Sequence, residues 1–300
     1  MLAIVIPYYK LTFFKETLNS LANQTNKQFK VYIGDDGSTE DCKDLLSFYN
    51  QQFDFIYHRF ENNLGSISLT QQWDRCIALC KDEKWLMILG DDDILGNNVV
   101  DEFYKQYHLF KDKSNIVRYS SIIIDNNSIE KSKKFEHKIW ENAYDSYFRK
   151  FEWLTRSSLS EHIFLRSKYD KYGFADYPLA WFSDDNAWLE FSEGKEIFSI
   201  NEATVFIRNS ELNISGRNDN HVLKAQAKIA FYKNIIDKRL FFFSKEKRLR
   251  ILYEYETTLR DQNNLFLKEW ITMLIKYLVN YDSYTLKKYL KRSLKKLFKL

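Results

Sequence analysis

Apolar positions over the first hundred residues switch repeatedly between two spacings. Leu2 to Pro7 is a short β-branched run that reads as a strand, and Phe14, Leu18 and Leu21 follow at helical spacing. Lys30 to Gly34 predicts a second strand running into Asp35-Asp36-Gly37-Ser38. Ser38 and Asp41 are then spaced as a capping box for a helix carrying Cys42, Leu45, Leu46 and Tyr49. Asp54 to His58 predicts a third strand, and the polar loop Glu61 to Ser66 leads to a helix through Trp73, Ile77 and Cys80. Trp85 to Leu89 reads as a fully buried strand entering Gly90-Asp91-Asp92-Asp93. The order βαβαβαβ predicts an α/β domain with a mostly parallel sheet flanked by helices, whose ligands bind beyond the carboxyl ends of the strands. Both acidic clusters fall at such ends.

Farther along, Asn97 or Asn98 can cap a helix striped by Val99, Val100, Phe103, Tyr107 and Phe110, and Ile116 to Ile124 supplies another strand. Residues 125 to 160 show no clear period. Asp184 or Asp185 opens a helix containing Trp188, Leu189 and Phe191, with strand-like segments at Ile197 to Ile200 and Thr204 to Ile207. From about residue 218 the pattern is helical to the end. The expected organisation is an α/β domain over residues 1–215 and a helical region over 216–300.

Composition narrows the class. Two prolines and eight glycines in 300 residues leave no Pro- or Gly-rich linker. The start reads as a strand rather than a signal peptide, and the most apolar stretch, Leu265 to Tyr281, is interrupted by Lys268, Glu269 and Lys276, so no spanning helix is expected. Cys42, Cys76 and Cys80 form no paired framework, which points to a cytoplasmic setting. Net charge is +4, yet Ser283 to Leu300 holds Lys287, Lys288, Lys291, Arg292, Lys295, Lys296 and Lys299 without an acid. Removing those seven leaves the rest at −3, so the positive charge is local and no nucleic-acid footprint covers the protein.

Asp91, Asp92 and Asp93 are adjacent carboxylates that repel one another, each pair by roughly 1 kcal/mol at about 4 Å in water. A divalent cation relieves that repulsion, and hard oxygen ligands suit Mg²⁺ or Mn²⁺. The other reading is a solvated loop whose acids favour the next helix N-terminus. Asp35-Asp36-Gly37-Ser38 likewise reads either as a turn and cap or as an acid placed to accept hydrogen bonds from a nucleobase.

Taken together, these segments resemble the inverting family 2 glycosyltransferases of GT-A fold. The resemblance rests on Val5-Ile6-Pro7-Tyr8-Tyr9, Leu18 to Thr25, Ile33-Gly34-Asp35-Asp36-Gly37-Ser38-Thr39-Glu40, Asn63-Leu64-Gly65, Trp73-Asp74-Arg75-Cys76 and Leu89-Gly90-Asp91-Asp92-Asp93-Ile94-Leu95. It is close to about residue 110 and looser to about 215. It implies that Asp36 contacts the base, that Pro7 and Tyr9 line the nucleotide pocket, and that Asp91, Asp92 and Asp93 form the metal motif with Asp92 the main ligand. Gly90 stands where the motif's first acid is usual. The family's second acidic signature falls on Ser183-Asp184-Asp185, which implies Asp185 as general base and Asp184 as its neighbour; as plain chemistry the same acids could only cap a helix. Arg208 fits a diphosphate contact or a surface position, and Ser210 stands where histidine is common.

The implied protein is a metal-dependent hexosyltransferase that moves a sugar, with inversion, from a nucleoside-diphosphate sugar, UDP-sugar favoured, to a glycan or lipid-linked acceptor in cell-surface polysaccharide synthesis. A catalytically inactive nucleotide-sugar-binding subunit is the alternative, and a hydrolase or phosphosugar transferase on a similar sheet is a third reading. In the tail, Leu286, Tyr289, Leu290, Leu294, Leu297 and Phe298 recur at steps of three and four with the basic residues between them. Such a helix is expected either to lie on an anionic membrane surface, making the protein peripheral at the inner face, or to dock on the catalytic domain or a second subunit.

Overall fold

The computed structural model describes residues 1–214, 216–217 and 219–297, with side chains described as far as Ser293. The tail positions expected at Leu294, Lys295, Lys296, Leu297, Phe298 and Lys299 lie outside the described side chains. Two compact units divide the chain, Met1–Asn220 and His221–Leu300.

The first unit is a nine-stranded sheet between helices. Its elements begin β1 (Leu2–Tyr8), α1 (Phe14–Ala22), β2 (Phe29–Asp35), α2 (Lys43–Ser47), β3 (Asp54–Arg59), α3 (Leu69–Ile77) and β4 (Trp85–Ile88). There follow β5 (Ile94–Leu95), α4 (Val99–Phe110), β6 (Ile116–Ile124), β7 (Trp140–Asn142) and α5 (Ala143–Phe151). The unit closes with β8 (His162–Leu165), α6 (Arg166–Tyr172), α7 (Ser183–Phe191) and β9 (Glu196–Arg208). β1 and β4 are continuous apolar runs because both faces are covered, and Leu2, Ile4, Ile6 and Met87 join Phe14, Leu18 and Phe103 in one core with no solvent exposure above 1%.

Strand order is β3-β2-β1-β4-β8-β6-β9-β5, with β7 also on β9. The expected parallel arrangement is confined to β3-β2-β1-β4 and to the β6–β9 pair; β8 runs antiparallel to both β4 and β6, and β5 and β7 run antiparallel to β9. The two segments read as separate near Ile197 and Thr204 are one strand, which slips register against β6 between Tyr119 and Ser120. One reversal between two antiparallel pairings leaves β6 and β9 pointing the same way as β4. The carboxyl ends of β1, β2, β4, β6 and β9 therefore share an edge with the amino end of β8.

Local signals were met unevenly. Ser68 caps α3 through Gln71 N and Asn142 caps α5 through Tyr144 N. The capping box expected at Ser38 and Asp41 does not form: α2 starts only at Lys43, and the Ser38 hydroxyl donates to Tyr9 O at 2.6 Å. Asn98 sits at the α4 N-cap but spends its side chain on Glu202 O.

The second unit holds α8 (His221–Lys238), α9 (Lys245–Asp261), α10 (Leu267–Val279) and α11 (Ser283–Leu297). The buried Glu256 carboxylate of α9 accepts from Tyr277 of α10 at 3.1 Å and from Arg292 of α11 at 2.9 and 2.6 Å. Tyr289, fully buried, donates to Trp270 O and packs on the Tyr277 ring. The described part of the α11 apolar face is thus turned onto α10.

Candidate active site

At the shared sheet edge, the loop after β4 is gripped from three sides. Asp91 Oδ2 accepts from the backbone N–H groups of Tyr9 and Lys10 at 2.8 and 2.9 Å, which ties β4 to β1 across the point where the strand order reverses. Asp93 Oδ1 accepts from Arg208 N at 2.8 Å and its carboxyl also meets the Ser160 hydroxyl. The Thr17 hydroxyl donates to the carbonyls of Asp91 and Asp93. Asp92 is different. It is half-buried, and the hydrogen bond its carboxylate makes is a long one, 3.2 Å, from Asn213 Nδ2.

Burial first, and then repulsion from Asp92, push Asp91 and Asp93 up to about 7, and burial raises Asp92 as well. Among the described residues no group of three or more His, Cys, Asp or Glu side chains is arranged to hold a metal ion. In this arrangement Asp91 and Asp93 accept from neighbouring backbone N–H groups. What fits a cation here is the pattern of one hard carboxylate, Asp92, completed by substrate phosphate oxygens and water, which is common for Mg²⁺ and Mn²⁺.

Arg208 is turned inward. Its side chain is shielded from solvent, and its guanidinium donates to Asp92 O, Asp125 O, Glu16 and Ser128 while lying 4.2 Å from the Phe13 ring centroid. It ties the loops after β4 and β6 to α1.

Asp36 is 4% exposed, and its carboxylate accepts from Leu64 N at 2.8 Å, from Gly65 N at 2.9 Å and from Arg75. Burial raises its pKa, and these donors pull the other way. It shapes the Asn63-Leu64-Gly65 loop from inside, where a Cβ on Gly65 would come within 2.5 Å of Asp36 Oδ2. Pro7 is half-buried in β1, and Tyr9, 39% exposed, is held by Asp91 at its N–H and by Ser38 at its carbonyl.

The second acidic pair lies in the first turn of α7, after a loop in which Leu179, Ala180 and Phe182 all take positive φ. Asp185, 4% exposed, receives both of its oxygens' bonds from Lys150 Nζ of α5, at 2.8 and 2.7 Å. Burial alone lowers a lysine's pKa, but Asp185 and then Asp184 outweigh it and raise that of Lys150. Asp184 is half-buried and is pushed up to about 7 by burial and by Asp185. Beside Asp185 is a cavity of about 10 Å³, lined in part by Ser146, Ser157, His162 and Trp188, where His162 Nε2 and Trp188 Nε1 have no hydrogen-bond partner. That is room for about one water.

The loop before β8 connects the two acidic sites. Ser160 Oγ accepts from Gly90 N at 3.0 Å, next to the β4 acids. Its neighbour Glu161 is fully buried, accepts from Arg156 at 2.7 Å and adds to the field at Asp184. Lys150, Arg156, Ser160 and Asn213 were not singled out from the sequence. The first three fall in or beside the stretch with no period, and nothing in the chain spacing pairs Lys150 with Asp185, 35 positions away.

A parallel half-sheet with acids at its carboxyl edge, joined to an antiparallel half, is the GT-A fold. The chain belongs to glycosyl transferase family 2, whose family model matches residues 3–174. It is similar to a crystal structure of S. aureus TarS 1-349 in complex with UDP-GlcNAc, at 12% identity and TM-score 0.63 over 95% of this chain and 82% of that one. A second crystal structure of S. aureus TarS matches at 13% identity and TM-score 0.60, again over 95% of this chain but 50% of that one. In sequence, Glycosyltransferase GlyG of Streptococcus pneumoniae serotype 4 (strain ATCC BAA-334 / TIGR4) is 23% identical over 107 residues, 35% of each chain. The matched stretch spans about a third of that relative's length.

Proposed function

We propose that this glycosyltransferase inverts the anomeric carbon of a UDP-sugar as it passes the sugar to a hydroxyl of a glycan or lipid-linked acceptor, in cell-surface polysaccharide synthesis at the inner face of a membrane. The carrying observation is that the loop after β4, which bears the half-buried Asp92, and the α7 acids are joined through the residue 156–161 loop at one sheet edge. The UDP donor is supported by similar structures that contain UDP-GlcNAc or UDP.

In this reading Tyr9 and the loop shaped by Asp36 bracket the nucleotide, and Lys10, whose Nζ donates to Leu212 O at 2.6 Å, brings positive charge beside Asp91 and Asp92. A cation held by Asp92 supplies Lewis-acid stabilisation to the departing diphosphate. Asp185 takes the proton of the attacking hydroxyl. Two adjacent carboxylates in one helical turn cannot both ionise cheaply; Lys150 sits on Asp185, and Asp184 carries the raised pKa. A base on one face of the sugar and a leaving group on the other give inversion.

The test is a panel of nucleotide sugars with Mn²⁺ or Mg²⁺, scored for cation-dependent release of nucleoside diphosphate. Release from a UDP-sugar that needs an acceptor extract supports the reading. Donor binding without turnover across the panel instead supports an inactive nucleotide-sugar-binding subunit.

A further inference from the structure

α10 is apolar on two faces. Met273 and Tyr277 point inward and are buried, whereas Leu267, Ile271, Ile275, Leu278 and Val279 recur at steps of three, four and one on the other side and are 44–76% exposed. A helix that is apolar all round needs cover on every side, and a continuous exposed apolar stripe marks an interaction surface. We propose that this stripe of α10, rather than the apolar face of α11, is where the protein rests on an anionic membrane surface.

Three observations select lipid as the occupant. The described part of the α11 face expected to enter the membrane is turned inward through Tyr289, which packs on Tyr277 and bonds Trp270 O. α11, which packs on α10 through that face, carries Lys287, Lys288 and Lys291 exposed, and Lys268 lies within the stripe itself. Packed helix axes lie about 8–10 Å apart, close to the ~8 Å screening length at physiological salt, so this charge acts on whatever covers the stripe. A second copy docked two-fold through the stripe brings two such cationic segments together, whereas acidic headgroups neutralise them.

Geometry also fixes the mode. Thirteen residues give a helix of roughly 20 Å, shorter than the ~30 Å hydrocarbon core, and no helix among the described residues is long and apolar enough to cross a membrane. α10 therefore lies in the plane of the interface.

The inference rests on the peripheral-membrane reading proposed above, and the experiment separates the two. The full chain is sedimented with vesicles of phosphatidylcholine alone and with vesicles of equal parts phosphatidylcholine and phosphatidylglycerol, next to light scattering for self-association. Binding is expected to the anionic vesicles, weakened about a hundredfold by Ile271→Ser/Ile275→Ser. Each of Lys287→Gln, Lys288→Gln and Lys291→Gln is expected to weaken it about fivefold. The serine changes are at exposed sites, and an unchanged circular dichroism melt verifies folding. Wild-type-like binding by the double serine variant overturns the location on α10 and spares the membrane reading. No binding to anionic vesicles by the unaltered chain overturns both, and a dimer that the serine variant dissolves identifies a second copy instead.

Discussion

The two acidic clusters of the catalytic unit solve one electrostatic problem in opposite ways. At Asp184 and Asp185 the counter-charge is built into the chain, since Lys150 bonds both oxygens of Asp185 and leaves Asp184 to carry the strain. At Asp91, Asp92 and Asp93 no salt bridge to a lysine or arginine forms among the described residues; backbone N–H groups hold the outer two acids, and the middle one accepts a 3.2 Å bond from Asn213. In the reading proposed above, the α7 pair takes a proton and the cluster after β4 takes a cation, although both are written as runs of aspartate.

The largest effect expected from breaking the contrast is on turnover. Asp185→Asn keeps shape and removes the base, so kcat should fall by about 10²–10⁴ with UDP affinity close to unaltered, as read by donor turnover and nucleotide titration. Asp184→Asn, measured alongside, should cost far less; equal losses in both would break the division of labour within the pair.

Asp92→Asn should lower kcat/KM by about 10²–10³ and erase the distinction between Mn²⁺ and chelator. Asp91→Asn should instead act through the β1–β4 tie and appear in the melting curve.

Lys150→Met leaves Asp185 buried without its partner, and chemical denaturation at neutral pH should find the unit about 3–5 kcal/mol less stable. An unchanged denaturation midpoint in that variant would contradict a stabilising role for the Lys150–Asp185 pair.

The smallest effect is the pH dependence of cation binding. Asp91 and Asp93 have folded pKa values raised to about 7 against an ordinary carboxylate value near 4, so their stability contribution is full below about pH 4 and is lost as pH rises toward and through 7. A cation relieves that loss by displacing protons, so its affinity should rise by about tenfold per displaced proton between pH 6 and pH 8. Calorimetry in buffers of different ionisation enthalpy measures the proton release.

How far the sequence could be read follows the same physics. β1 and β4 were legible because strands covered on both faces are unbroken apolar runs. The stretch from 125 to 160 was not, because its buried groups are polar and neutralise one another in ion pairs. Glu141 meets Arg118 and Arg149, and Arg156 meets Glu161, all without a hydrophobic period. Motif resemblance singled out Asp36, Asp92 and Asp185, yet the letters could not tell which aspartates would bond backbone N–H groups, as Asp36, Asp91 and Asp93 do. Nor could they reveal that Arg208 faces inward or that Ser38 prefers the Tyr9 carbonyl to a helix end. In the tail the amphipathic pattern of α11 was legible, and the described part of its apolar face meets α10, while the exposed stripe lies in the stretch read as too interrupted to span a membrane.

The most direct test of the two-cluster account is calorimetric titration of UDP, with and without Mn²⁺, into the unaltered chain and into the Asp92→Asn and Asp185→Asn variants. Mn²⁺ should tighten UDP binding to the unaltered chain and to Asp185→Asn, and should do nothing for Asp92→Asn. UDP binding that ignores Mn²⁺ in all three proteins would contradict it.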